Sequence, residues 1–206
     1  SSVYGSNSKI PFTENQKTDT QLTIYAATKK ANESMAHSYS HLWKIPTTML
    51  RFFTVYGPWG RPDMALFKFV SSILNDQPID IYNNGEMFRD FTFIDDLVHS
   101  IKLLINSIPS TNNKISKIDS QSNAAPFRVV NIGNSKKIKL TDFLDVIEQV
   151  LGKKAIRNYT TIQKGDVLET WADNSLLENL TDFTPQTNFK DGIVKFIEWY
   201  RKYYNV

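Results

Sequence analysis

Apolar positions along the chain alternate between helical spacing and strand spacing. Good helix formers without Gly or Pro run from Thr23 to about Trp43, and Pro46 follows, so one long helix is predicted there. Ile45 to Val55 is rich in β-branched and aromatic residues and ends before Gly57-Pro58, which predicts a buried strand. Apolar residues return to helical spacing between Met64 and Asn75, where a second helix is predicted.

The second half of the chain continues the alternation, so the predicted class is α/β. Further strands are predicted at residues 79–82, 90–93, 127–132 and 155–161, and further helices at 95–108, 141–151, from 174, and at 190–204. Residues 109–126 are rich in Ser, Asn and Lys and predict a mobile surface loop. Val3-Tyr4-Gly5 is typical of the end of a strand that runs into a loop, which suggests that a preceding part of the domain is missing.

Composition narrows the classes of protein. The 206 residues are 41% hydrophobic and 22% charged, which is typical of a globular chain. A net charge of +3 is too small and too dispersed to indicate a nucleic-acid partner. The absence of Cys excludes a disulfide scaffold and a Cys nucleophile and fits a reducing, cytoplasmic location. No apolar run approaches the roughly 18–20 residues of a membrane span, so a soluble protein is expected.

Tyr25 and Lys29 are the sharpest candidates for chemistry. Their i and i+4 spacing on the long predicted helix places the phenol and the ammonium on one face, one turn apart. A neighbouring cation favours the phenolate, so the pair could act as a general acid/base beside a nicotinamide ring. Chance predicts roughly one such pair in a chain of this composition, so the pair alone is weak evidence.

Two other clusters favour structural interpretations. His37 and His41 are also spaced by four residues, but no acidic residue completes a metal site within that turn, so a solvated helix face is predicted and no metal. Trp199, Tyr200, Tyr203 and Tyr204 predict packing of the last helix, because no basic stripe accompanies them as a base-stacking platform would require.

Five sequence segments, in this order along the chain, support a functional role for the Tyr25–Lys29 pair. They are Ser-Ser-Val-Tyr-Gly at 1–5, Tyr-Ala-Ala-Thr-Lys-Lys-Ala-Asn-Glu at 25–33, Leu-Arg-Phe-Phe-Thr-Val-Tyr-Gly-Pro-Trp-Gly-Arg-Pro-Asp-Met-Ala at 50–65, Arg-Asp-Phe-Thr-Phe-Ile-Asp-Asp at 89–96 and Gln-Lys-Gly-Asp-Val at 163–167. The series resembles the extended short-chain dehydrogenase/reductase family of nucleotide-sugar epimerases and dehydratases, within it the UDP-glucuronate 4-epimerases, over nearly the whole chain.

This resemblance implies the C-terminal part of a Rossmann-type doubly wound parallel sheet plus a smaller mixed α/β substrate-binding domain. Residues 1–60, with a returning strand near 127–134, would be the remaining part of the NAD-binding domain, and residues 61–206 would be mostly the substrate domain. The Gly-rich dinucleotide turn expected upstream does not occur in this sequence, so the chain alone is expected to be inactive.

The resemblance also implies roles at the catalytic centre. Tyr25 matches the catalytic base, and Lys29 matches the lysine that holds the nicotinamide ribose and lowers the tyrosine's pKa. The third member of the triad would fall just before Ser1. Phe52 and Val55 match positions that line the nicotinamide. Ser1 and Ser2 match residues that face the sugar, where similar dehydratases carry Asp-Glu and related decarboxylases a Glu at the second position; serines there favour epimerisation.

The remaining matches concern the substrate. Thr54 stands where galactose-type epimerases use Asn, and Arg61 lies in a segment like that of the uronate epimerases, so both suit a sugar carboxylate. A capped loop with an exposed Arg is the alternative for this pair. The other implied substrate residues are Met64, Ala65 and Tyr82 on the uracil side, Arg89 at the diphosphate, Asp166 near the uridine ribose, and Gln163, which stands where many relatives have Arg. A local salt bridge between Arg89 and Asp90 is the alternative role for that arginine.

The implied activity is NAD-dependent C4 epimerisation of a UDP-sugar through a 4-keto intermediate, most simply UDP-glucuronate to UDP-galacturonate, by a homodimer that serves polysaccharide biosynthesis. A neutral UDP-sugar 4-epimerase, or a related dehydratase or decarboxylase, is the nearest alternative. A non-catalytic substrate-domain module is an alternative of a different class.

Overall fold

Helices and strands alternate along the chain in the computed structural model, which describes residues 1–111, 114–162 and 167–206. The α-helices of the described residues are α1 (Ile24–Trp43), α2 (Ala65–Leu74), α3 (Ile94–Leu104), α4 (Leu140–Leu151), α5 (Ser175–Thr181) and α6 (Phe189–Tyr204). The strands are β1 (Thr47–Phe52), β2 (Thr54–Tyr56), β3 (Pro78–Tyr82), β4 (Phe88–Phe93), β5 (Phe127–Ile132), β6 (Lys137–Lys139), β7 (Ile156–Thr160) and β8 (Glu169–Thr170).

Most strand pairs are parallel. β1 runs beside β5 with Thr47 opposite Phe127, β2 runs beside β4, and β3 runs beside β7. β4 also pairs with β8 in parallel and with β6 in the antiparallel direction. Parallel neighbours need crossover connections, which the helices between them supply. The predicted α/β class is therefore confirmed, while the division into residues 1–60 and 61–206 stays a prediction.

The main hydrophobic core lies between strands β2 to β4 and helices α2, α4 and α6. Val70, Ile81, Phe143 and Ile193 are completely buried in it. Phe143 stacks on Phe91 with ring centroids 3.9 Å apart. A second cluster packs α3 and α5 against β5. The core therefore fixes the ends of β2 and β4 from one side.

One glycine determines how closely α6 approaches β2. A Cβ atom built on Gly192 would lie 2.3 Å from the Tyr56 phenol oxygen, a separation that no side chain can occupy. The Tyr56 hydroxyl donates a 3.4 Å hydrogen bond to the carbonyl of Phe189 at the start of α6. Gly192 thus allows the last helix to lie directly against the strand that leads into loop 57–64.

The chain start and the first strand differ from their predictions. Ser2–Tyr4 forms a 3-10 helix, so the expected strand end at Val3-Tyr4-Gly5 is wrong. The helix forms because Tyr4 turns inward and stacks on Phe12, with ring centroids 4.4 Å apart. The predicted strand from Ile45 to Val55 is divided at Phe53, between β1 and β2, where the Phe53 amide donates to the Ile132 carbonyl of β5.

The predicted surface loop at 109–126 is wrong for its second half. Asp119 and Gln121 are buried, because they surround the buried guanidinium of Arg128 on β5. Arg128 donates to both carboxylate oxygens of Asp119 at 2.9 and 3.0 Å and to the Gln121 side chain at 3.2 Å. Burial opposes ionisation of Asp119, but the bonds from Arg128 outweigh it and hold its pKa below the ordinary value.

His37 and His41 contact the same segment. The predicted solvated face is wrong for His37, which is half-buried, whereas His41 is exposed as predicted. The His37 ring nitrogen lies 2.8 Å from the Ser122 hydroxyl, and the His41 ring nitrogen lies 2.6 Å from the Ala124 carbonyl. The His37 ring also packs edge-on against Phe127 at 5.0 Å. Both histidines therefore fasten α1 to residues 119–125, a long-range contact that spacing along α1 does not reveal.

We expect Asp119→Ala to lower the free energy of unfolding by about 3–5 kcal/mol, because it leaves the buried Arg128 charge without its partner. Urea unfolding of the complete gene product measures the change. Glu86→Ala, which breaks the exposed Lys139–Glu86 pair, is the control and should have little effect. Equal losses in the two variants would contradict the structural role of Asp119.

Candidate active site

A cleft of about 790 Å³ opens where β1 and β2 end, next to the start of α1 and loop 57–64. The carboxyl ends of parallel strands are where ligands bind in open α/β sheets. Nine of the residues predicted for the site line this cleft: Ser1, Ser2, Tyr25, Phe52, Thr54, Val55, Arg61, Met64 and Arg89. We refer to it below as the Tyr25 cleft.

The helix start presents Tyr25 to the cleft. Thr23 caps α1, and its hydroxyl accepts a 3.1 Å hydrogen bond from the Ala26 amide, so Tyr25 stands in the first turn. Its side chain is 54% exposed. The Lys29 ammonium lies over the Tyr25 ring, 5.1 Å from its centroid, on the same face of the helix. An exposed phenol with an adjacent ammonium is the arrangement expected of a general acid/base pair.

Arg61 lies on the other side of the phenol. Its Nε and Nη2 atoms donate to the two carboxylate oxygens of Asp63 at 3.0 and 2.5 Å. The hydrogen bonds with Asp63 raise the pKa of the guanidinium above its ordinary value, and the nearby Tyr25 phenol adds to that rise. Because both members of the pair are exposed, a ligand carboxylate can take the place of Asp63 at small cost. The cleft therefore joins an acid/base candidate to a carboxylate-binding cation.

Loop 57–64 turns sharply to deliver Arg61. Gly57 has φ 139°, and a Cβ atom there would lie 2.5 Å from the Ile94 side chain, so only glycine fits. The Gly60 amide donates to the Gly57 carbonyl at 3.1 Å, and Trp59 between them adopts a left-handed conformation with φ 63°. Trp59 lines the cleft although the sequence analysis did not select it.

A buried ion pair holds α1 on the sheet behind the cleft. Arg51 of β1 donates from Nε and Nη2 to the Glu33 carboxylate of α1 at 2.7 and 2.9 Å. The guanidinium lies over the Tyr4 ring, 4.8 Å from the centroid, and the Tyr4 hydroxyl donates to the Asn131 side chain at 2.6 Å. Burial opposes the charge of Arg51, but the bonds with Glu33 hold its pKa above the ordinary value.

This network was absent from the sequence predictions, although one signal pointed to it. Arg51 interrupts an otherwise apolar strand prediction, and a buried cation requires a partner. The same buried environment shifts the pKa values of two neighbouring side chains. Burial raises the pKa of Glu14 to about 7 and that of Tyr4 to about 12. The Glu14 carboxyl group accepts a 2.8 Å hydrogen bond from the backbone amide of Asn131.

Other predicted site residues lie elsewhere or have different surroundings. Ala65 lines a small neighbouring cavity of about 20 Å³, and Tyr82 ends β3 outside the residues that line the Tyr25 cleft. Gln163 and Asp166 lie outside the described residues. Arg89 donates to the carbonyls of Phe88 and Leu168 at 3.0 and 3.2 Å.

Asp90 has a structural environment of its own. It is completely buried and accepts hydrogen bonds from the backbone amides of Asn134, Ser135 and Ala172 at 2.6 to 3.0 Å. These bonds tie β4 to the segments that follow β5 and β8. Within residues 1–111, 114–162 and 167–206, no group of three His, Cys, Asp or Glu side chains could hold a metal ion. In the same ranges no helix is long and apolar enough to cross a bilayer.

Comparison with known proteins assigns the family. Residues 1–119 match the model of the NAD dependent epimerase/dehydratase family, which is more than half of the chain, so the chain belongs to that family. It is 53% identical over 207 residues to a probable UDP-glucuronate 4-epimerase of Rhizobium meliloti (strain 1021), covering 99% of this chain and 61% of the relative. It is also 53% identical to Protein CapI of Staphylococcus aureus, covering 99% of this chain and 62% of that protein.

A solved structure shares the fold. The UDP-glucuronic acid 4-epimerase of Bacillus cereus, in complex with UDP-glucuronic acid and NAD, superimposes with a TM-score of 0.84 at 31% identity, over 99% of this chain and 60% of that one. The predicted Rossmann-type fold is thereby confirmed. The chain spans about 60% of the length of the relatives that it matches.

Proposed function

We propose that the complete gene product is an NAD-dependent C4 epimerase of a UDP-sugar that bears a carboxylate, interconverting UDP-glucuronate and UDP-galacturonate. The observation that carries the proposal is the placement of Arg61 beside the Tyr25 phenol in one cleft. A guanidinium next to the acid/base group suits a sugar whose carboxylate lies close to the reacting carbon. The relatives named UDP-glucuronate 4-epimerase support the same substrate class.

The residues present fit the nicotinamide end of NAD. Phe52 and Val55 give the cleft an apolar wall, and Lys29, which lies over the Tyr25 ring, is proposed to hold the nicotinamide ribose as the resemblance implies. NAD held there would supply hydride-transfer chemistry at C4 of the sugar. The chain's own task is then to hold the sugar so that either face of C4 can be presented and to exclude water.

We assign proton transfer to Tyr25. It takes the proton of the C4 hydroxyl while the sugar is oxidised and gives that proton back while the 4-keto sugar is reduced. Its half-exposed position at the cleft wall leaves the phenol oxygen accessible to a ligand. Lys29 lies over the phenol ring, 5.1 Å from its centroid, and is not among the residues that line the cleft in the described part of the chain, so its proposed ribose contact rests on the resemblance.

The other residues of the cleft favour epimerisation over elimination. Ser1 and Ser2 line it and carry no carboxyl group, so they supply no second acid or base for dehydration or decarboxylation. Thr54 lines the same wall as Arg61 and offers a hydroxyl donor to the sugar carboxylate. We propose that Arg89, which also lines the cleft, binds the diphosphate.

The remaining substrate contacts and the cellular setting rest on the resemblance alone. Met64 lines the cleft, and Ala65 lines the small cavity beside it, where both are proposed to face the uracil. The roles of Tyr82, Gln163 and Asp166 stay predictions. A cytoplasmic location and a place in polysaccharide biosynthesis stay predictions as well.

We further propose a homodimer that uses the outer face of α1. Ile24 and Met35 are eleven residues apart, and Met35 and Leu42 are seven apart. Both spacings bring the residues back to the same side of an α-helix, and all three side chains are exposed. Tyr39 extends the stripe. The buried side of the helix carries Ala26, Glu33 and Ser40 instead, so the apolar stripe is a second face that a copy of the protein can cover.

Tyr25→Phe should abolish epimerisation and leave UDP-glucuronate binding within about twofold, because the variant removes the proton-transferring group but keeps the ring. Turnover and calorimetric binding in the complete gene product measure the two effects. Tyr39→Phe, on the same helix and outside the cleft, is the matched control. Normal turnover by Tyr25→Phe would disprove the assignment of the base.

Arg61→Met should lower kcat/KM for UDP-glucuronate by at least about tenfold and change turnover of UDP-glucose little, since only the uronate offers a carboxylate to the guanidinium. Parallel assays of both substrates decide the sugar class. A wild-type enzyme that prefers UDP-glucose would replace this proposal with the neutral-sugar epimerase.

Leu42→Glu should shift the complete gene product from dimer to monomer in sedimentation velocity, because it buries a charge in the apolar stripe. Ser34→Glu adds the same charge on another side of α1 and should leave the dimer intact. Equal behaviour of the two variants would remove α1 from the interface.

A further inference from the structure

Trp59 stands out among the residues of loop 57–64. It lines the Tyr25 cleft two positions before Arg61, yet its side chain is 73% exposed. Its backbone has φ 63°, a left-handed conformation that a bulky L-residue rarely adopts. Such a conformation persists only where surrounding contacts enforce it, and it is found most often at functional sites.

The contacts that hold Trp59 come from the last helix. Its ring lies 5.3 Å from the ring of Trp199 and packs edge-on against Tyr203 at 5.2 Å. Trp199 and Tyr203 in turn stack on each other, with centroids 5.5 Å apart. Neither of these two α6 residues is among those that line the Tyr25 cleft in the described part of the chain. We call these three residues the Trp59 clamp.

Two backbone hydrogen bonds close within the loop. The Gly60 amide bonds to Gly57, and the Met64 amide bonds to the Arg61 carbonyl at 3.1 Å. These two bonds shape the turn, and a third ties only its last residue to α2, where the Lys68 amide donates to the Met64 carbonyl at 3.0 Å. The Trp59 ring, by contrast, reaches from the loop to α6, and α6 is fixed to the core through the close contact of Gly192 with Tyr56.

Arg61 depends on this anchoring because its own side chain is poorly confined. The guanidinium is 67% exposed and is bonded to Asp63, a residue of the same loop. The Arg61–Asp63 pair therefore moves with the loop as a unit. A long exposed side chain keeps a fixed position relative to Tyr25 only if its backbone is held.

We infer that the Trp59 clamp is a positioning device for substrate recognition, which holds loop 57–64 against α6 so that Arg61 meets the sugar carboxylate beside Tyr25. This inference rests on the proposed function, because it takes Arg61 to be the carboxylate ligand. The clamp acts through the loop, so residues of α6 that do not line the cleft should influence recognition of the uronic sugar.

The test measures KM and kcat for UDP-glucuronate together with the inhibition constant of UDP, in the complete gene product. Trp59→Ala and Tyr203→Ala should each raise KM by about tenfold, well below the roughly hundredfold effect of an ångström-scale misplacement of a reacting group. kcat should change by less than about threefold. The inhibition constant of UDP should stay unchanged, because UDP has no sugar carboxylate. The Trp59→Phe variant, which keeps an aromatic ring, should have a KM near the wild-type value.

Tyr204→Ala is the matched control. Tyr204 is the next residue of α6 and is also partly exposed. It packs on Phe67, Tyr200 and Tyr203, but its ring contacts among the described residues do not include Trp59. It should leave KM near the wild-type value, while thermal unfolding of all variants reports any general loss of stability.

The outcomes separate the inference from the function on which it rests. A wild-type enzyme without activity on UDP-glucuronate would overturn the proposed function and this inference together. If the wild-type enzyme is active but Tyr203→Ala keeps the wild-type KM, the inference alone is overturned. Any rise of KM in Trp59→Ala would then be explained by a direct contact of Trp59 with the sugar. A parallel rise in the inhibition constant of UDP would also overturn it, since that result indicates general damage to the cleft.

Discussion

The active-site arrangement depends on one buried ion pair, Glu33 with Arg51. It joins the helix that carries Tyr25 and Lys29 to the strand that ends at the cleft. Removing Glu33 would leave the buried Arg51 guanidinium without its carboxylate partner, so the pair favours this arrangement of α1 on the sheet. Tyr4 covers the guanidinium and links it to Asn131 of β5, which extends the same constraint to a second strand.

A second constraint acts from the opposite side of the cleft. Gly192 lets α6 lie against Tyr56, and α6 then carries the aromatic residues that receive Trp59. The proposed acid/base group and the proposed carboxylate-binding cation thus belong to separate parts of the fold, one near a buried charge pair and the other near the aromatic packing of Trp59 on α6. Both groups nevertheless line one cleft at the ends of β1 and β2.

Most elements were predictable because their signals are local. The helix that starts after Thr23, the strand 127–132 and the helix closed by Gly152 follow from capping, β-branched runs and a left-handed glycine. The errors share a different cause. Residues 119–125 look like a polar surface loop because local composition does not show that Arg128, nine positions beyond Asp119, is buried. His37 looks solvated because its partner Ser122 is 85 positions away. Local composition contains no information about partners that are more than 80 residues away.

The sequence by itself determined the α/β class, the family, and the one-turn spacing of Tyr25 and Lys29, because each depends on residue order or on the geometry of a single helix. Only the tertiary structure decided that Arg61 lies beside Tyr25, that Arg51 is buried against Glu33, and that Trp59 contacts α6. These contacts join segments between about 18 and 144 positions apart in the chain, and their existence depends on packing and burial, which a linear pattern does not encode.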